Sequence, residues 1–212
     1  VSVEDRAGLI LDRMEGTSLT SVAERNPLLI RRTARTLADL QIRMHEVAVP
    51  DLPEVRQVVL DTLGQPPLAF LSADELLAAK ALVNALPEGD QLLHLDFHPE
   101  NVFSTTDGYQ IIDWQTALRG VPAADVAASV FLLNDAELWP GTPAVKKVLL
   151  SLVRRTYFSA YIDEYRRRTG LADTEIAKWR LPALVLRLGW DIASEREQLR
   201  TGVREALAQA SR

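Results

Sequence analysis

The 212-residue chain carries 24 Lys and Arg against 29 Asp and Glu, a net charge of −5, with 47% hydrophobic residues and no cysteine. That balance describes an ordinary globular protein and excludes a globally basic nucleic-acid surface, disulfides and thiolate metal sites. The length suits one large domain, or a domain with a small appendage.

No apolar run approaches the roughly 18 residues that a membrane span needs, and no basic segment leads into an apolar core as in a signal peptide. A cytoplasmic protein with no membrane and no nucleic-acid partner is expected. The chain opens on Val1 and soon enters the apolar segment Ala7-Gly8-Leu9-Ile10-Leu11. We read this as a beginning that was removed or a start assigned at an internal Val codon, ahead of the alternative of a natural short form.

In chain order, residues 7–14 read as a buried strand, stopped by Glu15-Gly16. Thr17 or Ser18 caps a short helix that ends near Asn26-Pro27. From Leu28 to Val47, Ile30, Ala34, Leu37, Leu40, Met44 and Val47 recur at helical spacing and mark one face of a long amphipathic helix. His45, at the end of that pattern, is expected to cap the helix or face solvent. Helical patterns follow at about 54–64 and, after a Ser72 cap, at about 73–86.

The texture then changes to short β-like pieces at Gln91-Leu92-Leu93, Asn101-Val102-Phe103 and Gln110-Ile111-Ile112, with a turn at Asp107-Gly108. Helix resumes after Pro122 and is predicted over about 144–168, 172–195 and 197–210. Trp139, Trp179 and Trp190 lie among Leu and Ala and are expected in the core. Arg166-Arg167-Arg168 reads as a solvated helix end. The fold class is therefore mainly α with a small β insert (α+β). Polar loops at such an insert, aimed by rigid elements, are where a site is expected.

That insert concentrates the chemistry. His94, Asp96, His98, Asn101 and Asp113 lie within twenty residues of one another, between apolar strand residues. Burying such groups together is costly unless they are paired or hold a metal. Two carboxylates and a carboxamide are hard oxygen ligands, suited to magnesium rather than zinc. The spacing H-x-D-x-x-x-x-N, followed by an Asp after a hairpin, matches a kinase catalytic loop and its metal-binding Asp.

His94-Leu95-Asp96-Phe97-His98-Pro99-Glu100-Asn101 resembles the H-G-D-x-H-x-x-N motif of the aminoglycoside phosphotransferase family. Ile111-Ile112-Asp113-Trp114 is similar to that family's second metal motif, and Gly120 to Ala127 to its G-x-P-x-x-D-x-A segment. Leu9 to Gly16 is similar to the strand joining the two kinase lobes, and Leu37 to His45 to the helix after it. The resemblance implies a protein-kinase-like fold that uses Mg2+ and ATP or GTP to phosphorylate a small hydroxylated substrate. It further implies Asp96 as catalytic base, Asn101 and Asp113 as magnesium ligands, and backbone around Asp12, Arg13 and Met14 against the adenine. His94, His98 and Asp125 would be structural supports, Asp125 by bonding backbone at the start of its own helix. Leu95 departs from the family's usual Gly, and Glu100 adds a negative charge beside the metal site.

On this reading, residues 1–16 are the hinge-strand remnant of an N-lobe and 17–212 a kinase-like C-lobe. Within it, 91–127 hold the catalytic loop and metal site, and 128–212 form a helical substrate-side subdomain. The family's Gly-rich loop and strand Lys have no counterpart before residue 7, and the first Lys is Lys80. An N-lobe side left open in this way is expected to recruit a dimer mate or another partner. Two functional readings follow: a small-molecule kinase, and a truncated, non-catalytic kinase-like module that only binds. A helical scaffold unrelated to kinases requires the metal-ligand pattern to be accidental. Asp135, Glu137, Asp163 and Glu164 are candidate contacts for a cationic acceptor.

Overall fold

The computed structural model describes residues 2–3, 6–7, 15–135 and 144–210, with side chains at 15–134 and 151–210. The strand expected over 7–14, including Asp12, Arg13 and Met14, lies outside the described residues apart from Ala7. Ala7 belongs to a two-stranded antiparallel pair, β1 (Ser2–Val3) with β2 (Arg6–Ala7).

Ser18 opens α1 (Leu19–Arg25) by accepting a hydrogen bond from Ser21 N–H. It also ends β3 (Thr17–Ser18). A 3-10 turn led by Pro27 then feeds α2 (Ile30–Met44). On α2, Ala34, Leu37 and Met44 are buried as the periodicity requires, but so are Thr33 and Gln41. Val47 is 47% exposed, because the helix stops at Met44 and the chain turns to run beside β4 (Gln91–Leu93). There the Val47 carbonyl accepts from Leu92 N–H at 2.8 Å.

The next helices are α3 (Val55–Thr62), capped by the Glu54 carboxylate, and α4 (Ala73–Asn84), opened by a Ser72–Glu75 capping box. Each cap satisfies N–H groups that a helix start otherwise leaves open.

β5 (Val102–Thr105) and β6 (Gly108–Ile111) form a hairpin, with β3 added along β5 by pairing Thr17 to Ser104. β4 pairs antiparallel with β7 (Leu118–Gly120). The two sheets hold opposite ends of the 94–101 loop, since β4 enters it and β5 leaves it.

Gly120 follows from packing. A Cβ there would stand 2.6 Å from Val55 Cγ1 and 2.8 Å from Leu93 Cδ1, closer than atoms tolerate. Pro122, whose missing N–H costs nothing in a first turn, then starts α5 (Pro122–Val130). Residues 123–129 of α5 are all buried, and small side chains at Ala123, Ala124, Ala127 and Ala128 let neighbours approach from every side.

α6 (Ala144–Thr169) packs along α2, α7 (Asp173–Lys178) and α8 (Arg180–Gly189) pack on α5, and α9 (Arg196–Ala210) packs on α8. The single helix expected over 172–195 is two helices. Pro182 has no N–H to give the carbonyl four residues back, and the chain restarts at Trp179, whose ring is buried. Trp190, expected in the core, is 40% exposed at the end of α8. Trp139 lies outside the described residues. Arg166, Arg167 and Arg168 are not merely solvated, since they pair with Asp173, Glu164 and Asp39.

Gly120→Ala is expected to cost roughly 1–3 kcal/mol, because Val55 and Leu93 must shift to admit the methyl group. Urea unfolding followed by circular dichroism measures it.

Candidate active site

The site is held from beneath by one buried carboxylate. Asp125, in the first turn of α5, is fully buried. Its Oδ1 accepts from the backbone N–H of Leu95 at 2.5 Å, and its Oδ2 from Gln41 Nε2 and His45 Nε2, both at 2.9 Å. It therefore bonds backbone, but backbone of the 94–101 loop rather than of its own helix. His45 is not solvent-facing: it is buried, and its Nδ1 meets the Tyr165 hydroxyl at 2.7 Å. His45 Nε2–H donates to Asp125, while its Nδ1 and the Tyr165 hydroxyl share the second hydrogen bond of the ring.

The network extends one turn along α5. Gln41 Nε2 also donates to Ser129 Oγ at 3.1 Å, and the Ser129 hydroxyl donates to the Phe97 carbonyl at 3.0 Å. Tyr161 donates to Gln41 Oε1. The α5 side chains thus grip the loop at Leu95 and at Phe97, the residues on either side of Asp96. A buried network satisfied in this way fixes one geometry.

His94 works from the other side. Its Nδ1 lies 3.3 Å from Asp96 N–H and accepts from it, so Nε2 carries the proton and donates to the Ile112 carbonyl at 2.8 Å. Thr116 Oγ1 donates to the His94 carbonyl at 2.6 Å. The fully buried His94 ring also stands 4.9 Å from the ring of Trp114. The loop before Asp96 is thereby tied to the segment around Asp113.

Asp96 emerges from this frame with its side chain 15% exposed. Its Oδ2 lies 3.3 Å from Asn101 Nδ2, which also donates to the Asp96 carbonyl at 2.9 Å. His98 Nε2 stands 3.6 Å from Oδ2, too far for a hydrogen bond. His98 Nδ1 instead accepts from Glu100 N–H at 3.3 Å. Glu100 itself is exposed.

The hairpin brings the two magnesium candidates together. Val102 pairs with Ile111, and Ile112 N–H donates to the Asn101 carbonyl at 3.0 Å, so Asn101 and Asp113 leave adjoining strand ends. The bonds of the Asn101 side chain use its N–H side, which leaves Oδ1 as a ligand oxygen. Asp113 is exposed and left-handed, with φ 63°. These hard oxygens fit Mg2+. Among the described residues no cluster of three or more His, Cys, Asp or Glu gathers around one point. Two ligands plus substrate phosphates and water is the usual Mg2+ pattern.

Leu95 also sits at φ 63°, the left-handed conformation that explains why Gly is usual there. The 2.5 Å bond from its N–H to Asp125 holds a backbone shape that the side chain disfavours.

Arg187 of α8 is the functional candidate that sequence reasoning missed. Its Nη1 is 3.3 Å from Asp96 Oδ1, while Nε and Nη2 donate to the two oxygens of Glu195 at 2.6 and 2.7 Å. Its guanidinium lies 4.7 Å from the ring centre of Trp190. Arg187 and Asp96 are 91 residues apart, and the α8 pattern marks Arg187 only as a residue off the apolar face, so no local signal joins them.

Asp163 and Glu164 lie apart from Asp96. Glu164 pairs with Arg167, and both acids line a groove between α2 and α6 beside Arg31, Arg35 and Arg155. Glu137 and the Asp135 side chain lie outside the described residues.

Burial alone would raise the Asp125 pKa. The hydrogen bond and charge of His45, then Gln41 and Leu95 N–H, outweigh it and hold the carboxyl below its ordinary 3.8. With the folded value below the unfolded one, this stabilisation is complete above the unfolded pKa. It fades as pH falls through the folded pKa. In urea unfolding from pH 7 to pH 3, the wild type is expected to lose stability below about pH 4, and Asp125→Asn to lack that part of the acid slope. Asp125→Ala is expected to cost about 3–5 kcal/mol at pH 7, since it strands the polar groups of His45, Gln41 and Leu95 in the core.

With this geometry in place, the comparisons have a physical context. The model of the phosphotransferase enzyme family, APH, matches residues 2–171. No curated protein matches the sequence. The choline kinase LicA from Streptococcus pneumoniae shares the fold, with a TM-score of 0.55 at 15% identity, over 92% of this chain and 67% of that one. A Plasmodium vivax ethanolamine kinase aligns with a TM-score of 0.41 at 14% identity, over 91% of this chain and 58% of that one. The architecture is therefore α+β and kinase-like, and the chain belongs to the phosphotransferase enzyme (APH) family.

Proposed function

We propose that the protein is a small-molecule kinase that moves the γ-phosphoryl group of ATP or GTP to a substrate hydroxyl, with Mg2+ as cofactor and Asp96 as base. The observation that carries this reading is the double clamp on Asp96. Asp125 and Ser129 fix the backbone on both sides of it, while Asn101 and Arg187 touch its two carboxylate oxygens. Rigid placement of this kind is what phosphoryl transfer asks of a protein, since its catalysis is mainly positioning and charge stabilisation.

In the reaction, the acceptor hydroxyl approaches Asp96, gives up its proton to the carboxylate and attacks the γ-phosphorus. The bond from phosphorus to the β,γ-bridging oxygen breaks, and the nucleoside diphosphate leaves. Asn101 Oδ1 and the Asp113 carboxylate would hold Mg2+, which neutralises phosphate charge when bound. Asn101 has a second task, because its N–H group steadies Asp96 at the same time. Family membership supports nucleotide use; backbone near Asp12, Arg13 and Met14 is the proposed adenine contact.

Among the described residues no helix is long and apolar enough to cross a membrane. We place the enzyme in the cytoplasm, where a chain without cysteine loses nothing to the reducing conditions.

Asp96→Asn keeps the shape and removes the base. In an ADP-release assay across a panel of small alcohols, it is expected to lower kcat by about 10²–10⁴-fold with little change in melting temperature. Undiminished turnover by the variant would overturn the assignment.

A further inference from the structure

A cavity of about 210 Å³ is walled by Leu95, the residue before Asp96, and by Arg187, whose Nη1 lies 3.3 Å from Asp96 Oδ1, and its described lining differs from what a cationic acceptor requires. Leu95 forms one wall, and Val58, Leu118, Phe131 and Leu186 make the others. Gln115 and Thr116, which follow Asp113 and Trp114 in the chain, supply neutral polar side chains to the lining. Among the described residues the only charged one in the lining is Arg187, and no carboxylate of theirs belongs to it. Glu195 spends both oxygens on Arg187 and is not part of the wall.

Of the two aromatic side chains in the described lining, Trp190 is spoken for. Trp190 lines the same cavity, but the Arg187 guanidinium already lies 4.7 Å from its ring centre. A ligand ammonium seeking a ring face would have to displace the protein's own cation or sit against it. The volume corresponds to about seven waters at ~30 Å³ each, enough for a compact ring or a short branched chain.

We infer that the acceptor is an uncharged, largely apolar alcohol seated in this cavity, with its hydroxyl toward Asp96 and with amine-bearing alcohols disfavoured by Arg187. This rests on the kinase reading, since it places the acceptor beside the proposed base. Apolar walls with a few polar groups are the usual make-up of a small-molecule site. Discrimination here comes from a like charge built into the wall as much as from any attraction.

The test uses two probes that share a ring and a hydroxymethyl group, cyclohexylmethanol and 4-(aminomethyl)cyclohexylmethanol. Their binding to the 212-residue chain is compared by saturation-transfer NMR titration at pH 7 without nucleotide. The neutral probe is expected to bind at least about tenfold more tightly, the scale of one modest unfavourable contact. Arg187→Gln should narrow that ratio to less than about threefold. Leu186→Trp, at a half-exposed wall position, and Ala183→Phe should each abolish binding of the neutral probe while the thermal unfolding transition is retained.

Equal or tighter binding of the amine would overturn the inference. So would no binding of the neutral probe, or neutral binding that survives whichever filling variant folds. Because nucleotide is absent, the two readings can fail separately. Neutral binding with no ADP release from any alcohol in the panel would count against the kinase and leave the cavity's preference standing. Turnover confined to amino alcohols would do the reverse.

Discussion

The structure depends on a carboxylate that water never reaches. Asp125 is buried completely, and an ionised carboxylate in that position survives only if its lone pairs are all but used up. Gln41 of α2, His45 just after it and the Leu95 N–H from the 94–101 loop use them. Removing any one partner leaves polar groups stranded, so α2, α5 and the loop are held in one arrangement. Tyr161 and Tyr165 extend the constraint to α6, and burial pushes both phenols upward, so they stay protonated donors. A hydrophobic core alone would position these helices to within the tolerance of side-chain packing. The buried network fixes which backbone atoms face which, and Asp96 inherits that precision.

Much of this was legible in the chain, for identifiable reasons. Residues 94–101 and 111–114 carry a spacing that few other chemistries share, so the family follows from sequence before any fold is seen. The boundaries of α1 and α4 also follow, because Ser18 and Ser72 are caps whose mechanism is local. The burial of His45 and Gln41 was not legible in this way. On α2 they occupy positions that periodicity assigns to the apolar face or its margin, and their burial comes from a partner 80 or more residues away. A single amphipathic pattern reports that a face is covered and says nothing about the chemistry covering it. The break at Trp179 was hidden because Pro182 sits where a first helical turn tolerates it, so the pattern on each side reads as continuous.

Two residues with left-handed backbone bracket the site, Leu95 before Asp96 and Asp113 after the hairpin. Neither is Gly, and each such conformation costs on the order of 1–3 kcal/mol. Both lie beside residues with a proposed chemical role or are such residues, and both are held by hydrogen bonds of their neighbours: Asp125 on Leu95 N–H, His94 on the Ile112 carbonyl. Local conformational preference has yielded to the surrounding fold at the points where the side chains must be aimed.

The contact of Arg187 with Asp96 has a bearing on how such proteins diversify. The same guanidinium forms part of the cavity wall and touches a carboxylate oxygen of the loop. A mutational step that reshapes the wall at this point also changes the electrostatic surroundings of Asp96, which, on the function proposed above, ties ligand choice to reactivity. Variation in the short connection from Trp190 to Glu195, which positions the counter-ion of Arg187, reaches both properties at once. Lineages that alter it would be expected to show paired substitutions in α8 and at the start of α9, while the buried frame on α2 and α5 stays as it is.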